Sequence, residues 1–588
     1  MSDLLLKDGY QLILQPEGFK LESGARPFAQ PGLNSLDVPR GSWAGFSLVL
    51  LAPEEAILLT GKRAAFTPRG PLPILRVEVC IEGLSCQTYV ADMHRDDDEV
   101  LRADALLTQE ETHLLPYLPR QLYVRAPISE AEAPGLRAGK VCVYAHTLFE
   151  DERLLLEADF NLRIRSLRLP APGQGHFFLN LWQHPSNIAR KHELALFSDA
   201  HFAALEEYAR ALHDLGNQAA TVIASDIPWA GQFCFLDRDN RSNYYEYNYV
   251  RVFREKDGTY RYDFSVLDRY LKLFKKYGMT HRIMVAGLIG IWKDAESGYG
   301  GLIPGYGDAP WVSYLDLADN CIKFMRTPEQ VEAYVTALYQ WFRENGYIEQ
   351  CVVMPDEPDS DGHMDFSCMQ SAQRLLRLCP EFKLELDVPP AVLENEMKGL
   401  PVWDYTPSVE HFHEPLMQAC RARVSGLMLW STCCYPLVPN SFLHSPLNEV
   451  RLHGLFSEYL HTDGFLRWNF TAWPENPREE IRFRRGNWSA GDTCFVYPSR
   501  GGRCLYSLRY FALRRGIEDY ELMQMVKERC PNAQAILDQA FDCVLRTKDL
   551  AQWNYESFDQ NDWMFSVQEA DYVRAREILM DALEKTEV

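Results

Sequence analysis

The sequence predicts a multidomain chain: an N-terminal all-β sandwich, a (β/α)8 TIM-type barrel, and a short helical C-terminal tail. Three observations carry this. Residues 1–170 alternate short apolar runs with turn-rich joints; residues 176–528 repeat strand, helix, strand; residues 529–588 show helical periodicity alone. At 588 residues the chain exceeds one ordinary core, so several domains are expected.

In the sandwich, "SWAGFSLVLL" (42–51), "ILRVEVCIEG" (74–83) and "KVCVYAHTLF" (140–149) are strands. "LEADFNLRIRSLRLPAPGQG" ends the region with an alternating strand and a Pro/Gly linker. The barrel then starts with strand one, "HFFLNLWQ" (176–183), and a helix over 199–216, with Asp199 as the expected N-cap and Gly216 as its stop. Strand two is 218–225, followed by a helix over 263–279. Strand three is 281–288, followed by a helix over 327–346 with Thr327 at the N-cap and Pro328 at its first position. Strand four, "QCVVMP" (350–355), precedes a helix over 364–379. Strands five to eight are 382–388, 400–406, 425–432 and 464–470, and a helix over 508–528 closes the set. A doubly wound sheet is disfavoured because no Gly-rich phosphate loop follows the first strand. The tail is expected to pack on the barrel, and the sandwich to buttress it.

Composition narrows the function. The chain is 47% hydrophobic and 24% charged, with a net charge of −22. Such a surface repels phosphate backbones and anionic lipid, which argues against nucleic-acid and membrane-surface roles. No window reaches the ~20 apolar residues of a membrane helix. The first residues lack the pattern of a signal peptide, so a cytoplasmic location is expected. The 15 cysteines contain no C-x-x-C pair and are expected to be reduced; Cys433 and Cys434 are adjacent, a poor arrangement for a metal or an ordinary bridge. His411 and His413 in "EHFHE" lack a third ligand nearby, and Asp96 to Glu99 lack a calcium loop's spacing. Neither a metal nor a cofactor is expected.

In a barrel of this kind chemistry is built at the C-terminal strand ends. Strand four runs directly into Asp356 and Glu357. Other strand ends bring Trp182 and His184, Asp226, Tyr405, Trp430, Trp468 and Asn469, which suit an aromatic-walled sugar pocket. Most glycosidases flank the sugar with two separated carboxylates. Strand seven, "LMLWSTCCYP", supplies none, and neighbours such as Asp356 and Glu357 cannot flank a ring from opposite faces. They can divide the work if a 2-acetamido group of the substrate attacks its own anomeric carbon. Asp356 would then orient that group, while Glu357 protonates the leaving oxygen and later activates water.

The segments "LNLWQHPSNIAR", "MPDEP", "LWST", "DGFLRWNF", "GDTCFVYP" and "SLRYFALRRGIEDYELM" resemble glycoside hydrolase family 123, β-N-acetylgalactosaminidases with an associated C-terminal domain of unknown function. The resemblance implies a retaining, substrate-assisted mechanism through an oxazolinium intermediate, with Asp356 as stabiliser and Glu357 as acid/base. It also implies that Trp468 and Tyr497 help wall the sugar, and that the partner is a glycan carrying N-acetylgalactosamine. Two alternatives stay open: a non-catalytic carbohydrate-binding protein on a glycosidase scaffold, and a conventional retaining glycosidase on a sugar without the acetamido group. Asp492 and Arg509 are equally open to substrate contact and to a structural ion pair.

Overall fold

A computed structural model describes residues 5–29, 32–60, 72–108, 111–146, 151–228, 245–289, 303–304, 306, 309–355, 368–482, 488–558 and 561–586. The N-terminal part consists of strands β1 (Leu5–Lys7), β2 (Tyr10–Pro16), β3 (Ser35–Arg40), β4 (Trp43–Leu51), β5 (Ala56–Leu59), β6 (Ile74–Ile81), β7 (Gln87–Arg95), β8 (Leu101–Leu107), β9 (Glu111–Leu114), β10 (Arg120–Pro127), β11 (Gly135–His146) and β12 (Arg153–Arg168). They form two mostly antiparallel six-stranded sheets, ordered β1-β2-β4-β10-β7-β8 and β3-β12-β11-β6-β5-β9. β4 is buried along nearly its whole length, whereas β11 alternates buried with half-buried residues and keeps one face towards water. The sheets meet through rings such as Phe46 on β4 and Phe160 on β12, 5.0 Å apart.

The second part begins with β13 (Phe178–Leu181), α1 (Pro185–Lys191), α2 (Asp199–Leu215) and β14 (Ala219–Ile223). An excursion follows: β15 (Ile227–Pro228) pairs with β16 (Tyr245–Glu246), and β17 (Arg251–Arg254) and β18 (Tyr260–Asp263) lead into α3 (Ser265–Lys276). β19 (Arg282–Ile289) comes next, with β20 (Ser313–Asp316) and β21 (Cys321–Phe324) completing a small sheet on β17. Then come α4 (Pro328–Glu344), β22 (Cys351–Pro355), α5 (Cys368–Leu378), β23 (Lys383–Leu386), α6 (Pro390–Asn395), β24 (Asp404–Tyr405), α7 (Met417–Arg423), β25 (Leu429–Ser431), α8 (Leu447–Tyr459) and β26 (Gly464–Arg467). Each of the eight expected strands is present, and all but β19 are shorter than the expected run. They pair in parallel as two ladders, β14-β19-β22-β23-β24 and β13-β26-β25, rather than as one continuous barrel sheet. All five residues of β14 and of β22 are buried, as in parallel sheets with both faces covered.

Local chemistry sets the helix ends. Thr327 and Gln330 form a reciprocal capping box at α4, with Pro328 at its first position. Gly216 ends α2 at φ +100, a left-handed conformation that costs glycine little. The cap of α2, however, is Ser198, whose side chain accepts from the His201 N–H, and Asp199 occupies the first turn instead.

The last part joins all the others. α9 (Leu508–Arg529) is buried from Leu508 to Val526, and α10 (Ala533–Val544) and α12 (Glu569–Thr586) pack on it and on each other, with the short α11 (Asn561–Met564) between them. Several of its charges are held in ion pairs. Arg515 binds Glu17 and Glu518 and stacks 3.9 Å over Trp43 of the N-terminal sheet, while Asp519 binds Arg451 on α8 and Arg576 on α12.

Candidate active site

Four of the expected site residues follow the C-terminal ends of β13 and β26. Trp182 donates its backbone N–H to the Arg467 carbonyl, which brings the continuations of these two strands side by side. The His184 ring stands edge-on to Trp468 at 5.8 Å, and Trp468 rests against Trp488 at 4.8 Å. Trp488 was not expected here, because it follows the strand by twenty residues and only the fold returns it. Burial, with Arg190 nearby, pushes the His184 imidazole down to about 3, so it is neutral across the physiological range. The Trp182 indole N–H has no hydrogen-bond partner among the described residues. Asn469 is fully buried, and neither its amide oxygen nor its amide nitrogen has a hydrogen-bond partner among the described residues. A buried amide is costly to leave unpaired, so a polar partner beside Asn469 is expected.

β13 is locked to β14 by a reciprocal pair: Gln183 N–H donates to Thr221 Oγ1 at 3.2 Å, and Thr221 N–H donates to Gln183 Oε1 at 2.7 Å. At the end of β14, Asp226 accepts from the backbone N–H groups of Asn248 (3.3 Å) and Ser313 (2.8 Å), and burial raises its pKa. Asp226 thus pins the excursion beside the strand ends.

Asp356 and Glu357 lie outside the described residues. β22 ends at Pro355, which pairs with Ile289 at the end of β19.

Three other expected wall residues lie apart from this group, among core side chains. Tyr405 is fully buried and donates its hydroxyl to the Val388 carbonyl at 3.0 Å. Trp430 is fully buried, donates its indole N–H to Ser457 Oγ on α8 at 2.7 Å, and packs on Phe465 and Phe456. Strand alternation turns both side chains towards the helices rather than the strand ends. Tyr497 is buried against the N-terminal sheets, with its hydroxyl donated to Asp104 on β8 at 2.7 Å and its ring stacked on His94. These are core groups.

Arg509 and Asp492 resolve in the same direction. Arg509 is fully buried, bound to Asp104 at 2.8 Å and to the carbonyls of Ser441 and Gly491. Asp492 pairs with the buried Arg467, and burial raises its carboxyl to about 6. Arg102 binds both Asp96 and Asp98 of the acidic run, while His411 binds Glu414 at 2.6 Å.

One group escaped the sequence. Glu385 on β23 is fully buried, and burial, with the Asp404 charge adding, raises its carboxyl to about 8. Sequence alone gives a lone Glu in the short run "FKLELDV", with nothing to separate it from a surface position.

A family model described as the glycoside hydrolase 123 catalytic domain matches residues 182–526, more than half of the chain. The chain therefore belongs to glycoside hydrolase family 123, and it is a glycosidase. A family 123 glycoside hydrolase from Clostridium perfringens, solved to detail glycolipid glycan hydrolysis, is similar over 98% of this chain and 97% of its own, at 16% identity and a TM-score of 0.72. A family 5 glycoside hydrolase from Bacteroides vulgatus (11% identity, 60% and 68% covered, TM-score 0.30) and a β-D-glucuronidase from Dictyoglomus thermophilum (9%, 79% and 68%, 0.31) resemble it too loosely to carry argument. No curated protein matches the chain.

Proposed function

We propose that this glycosidase removes a terminal β-linked 2-acetamido-2-deoxy sugar, N-acetylgalactosamine first, by a retaining, substrate-assisted mechanism. The substrate acetamido oxygen attacks the anomeric carbon as Glu357 protonates the leaving oxygen, giving an oxazolinium ion. Asp356 orients the acetamido N–H and balances the developing positive charge. Glu357 then deprotonates the water that opens the ring, which restores the starting protonation state. Trp182, His184, Trp468 and Asn469 form the sugar wall in this account. A glycan borne on lipid is the proposed natural substrate, by analogy with the clostridial relative.

The observation that carries this reading is the position of two adjacent carboxylates directly after β22, within the segment matched by the family model. It is supported by the proposal that the two ladders are arcs of one (β/α)8 barrel. Isolated parallel bridges span both seams, Leu179 to Asn217 between β13 and the lead into β14, and Tyr405 to Met428 and Ser408 to Ser431 between β24 and β25. In such a ring residue 356 follows the fourth strand at the end where chemistry is built. The proposed division places the buttressing sandwich at 1–170, the catalytic barrel at 176–528 and the helical tail at 529–588.

Glu357→Gln tests it. The expected result is a loss of about 10²–10⁴-fold in kcat on an aryl β-2-acetamido-glycoside with binding retained; unchanged hydrolysis removes Glu357 from its role.

A further inference from the structure

We infer that Cys433 and Cys434, just beyond β25, form a redox-labile vicinal dithiol that small disulfides close into a Cys433–Cys434 bond, and that closure slows the enzyme. In an extended chain consecutive side chains point to opposite faces. Here the chain bends past Ser431 and the two Sγ atoms lie 3.7 Å apart, in van der Waals contact. Both residues are partly exposed, so a small disulfide can reach them.

The backbone beneath the thiols is tightly held. The Asn440 amide donates to Thr432 Oγ1 (3.0 Å), to the Cys433 carbonyl (2.6 Å) and to the Pro436 carbonyl (2.7 Å). Its oxygen accepts from Arg467 Nη1 at 2.9 Å, and the same Nη1 donates to the Thr432 carbonyl at 3.0 Å. Arg467 immediately precedes Trp468, so any backbone shift at Thr432–Cys433 reaches the aromatic wall through one hydrogen-bonded side chain. Beside the thiols, Tyr435 is 44% exposed.

The chemistry balances by two exchanges. One cysteine thiolate attacks the small disulfide, forming a mixed disulfide and releasing one small thiolate. The neighbouring thiolate then attacks the protein sulfur, forming the Cys433–Cys434 bond and releasing the second. The two cysteines lose two protons and two electrons, and the small disulfide gains the electrons. Adjacent Cα atoms are ~3.8 Å apart, below the ~4.4–6.8 Å that disulfides prefer, so the ring is strained and easily reduced again. That places it with labile rather than structural bonds.

Only the consequence for activity rests on the proposed glycoside hydrolysis. The tryptic peptide 424–451 contains these two cysteines and no other. After treatment with oxidised glutathione, that peptide is expected to lose two hydrogens, and hydrolysis of an aryl β-2-acetamido-glycoside to fall several-fold and recover with dithiothreitol. Cys434→Ser should keep basal activity while losing both the closure and the redox response. A peptide that stays dithiol, or that carries glutathione without closing, overturns the inference, as does closure that leaves the rate unchanged. Mass reads closure without turnover, so an enzyme inactive on every glycoside is told apart from a dithiol that never closes.

Discussion

Asp104 shows how one buried carboxylate can decide what its neighbours do. It accepts from Arg509 Nε and Nη2 and from the Tyr497 hydroxyl, all fully buried. Burial alone would raise its pKa, but the Arg509 guanidinium and the hydrogen bonds outweigh that and hold it below the usual range. Asp104→Asn leaves the guanidinium uncompensated, and a loss of about 3 kcal/mol is expected, read as a lower denaturant midpoint with kcat/KM unchanged. Glu385 has the opposite sign. Its folded pKa of about 8 lies above that of the unfolded chain, so the folded state binds the extra proton and stability falls as pH rises from about 4.5 to 8. Glu385→Gln should remove a slope of up to about 1.4 kcal/mol per pH unit in that window. Urea melts of both forms at pH 5 and pH 8 check this; parallel losses in the two would contradict it. The sequence announced neither role, since Tyr497 and Glu385 take their surroundings from chain far away in number.

At the scale of elements, local signals were legible where local physics decides. The Thr327 box, the Gly216 stop and the buried strands β14 and β22 follow from residues within a few positions of each other. Helix α9 was visible as a helix, but its burial from Leu508 to Val526 was not, because "LRRGIEDYE" has the charge density of a solvated face. Ion pairs with β8, the N-terminal strands, α8 and α12 are what allow it to be buried. α8 and α9 also touch backbone to backbone: a Cβ on Gly454 would lie 1.8 Å from the Gly516 carbonyl oxygen, and one on Gly516 2.2 Å from that of Arg451. Gly516→Ala must push two anchored helices apart. The expected cost is about 2–4 kcal/mol despite alanine's better helix propensity, and a melting temperature equal to wild type would show that the helices yield freely.

For the whole molecule, the eight-strand rhythm gave the right strands in the right order, and segments spread over residues 179–523, the adjacent carboxylates among them, gave the family resemblance. The proposed wall was only half brought together. Trp182, His184 and Trp468 come together because they end neighbouring strands, β13 and β26. Tyr405 and Trp430 also end strands but fall on the helix-facing side, a one-residue phase that apolar runs buried on both faces do not reveal. The central proposal is that the reacting sugar supplies its own nucleophile through the site at Asp356 and Glu357. It is tested most directly by kcat/KM on matched aryl β-galactosides that differ only at C2, acetamido against hydroxyl. Efficient turnover of the acetamido sugar with no detectable turnover of its hydroxyl twin is expected. Comparable rates on both would contradict the account.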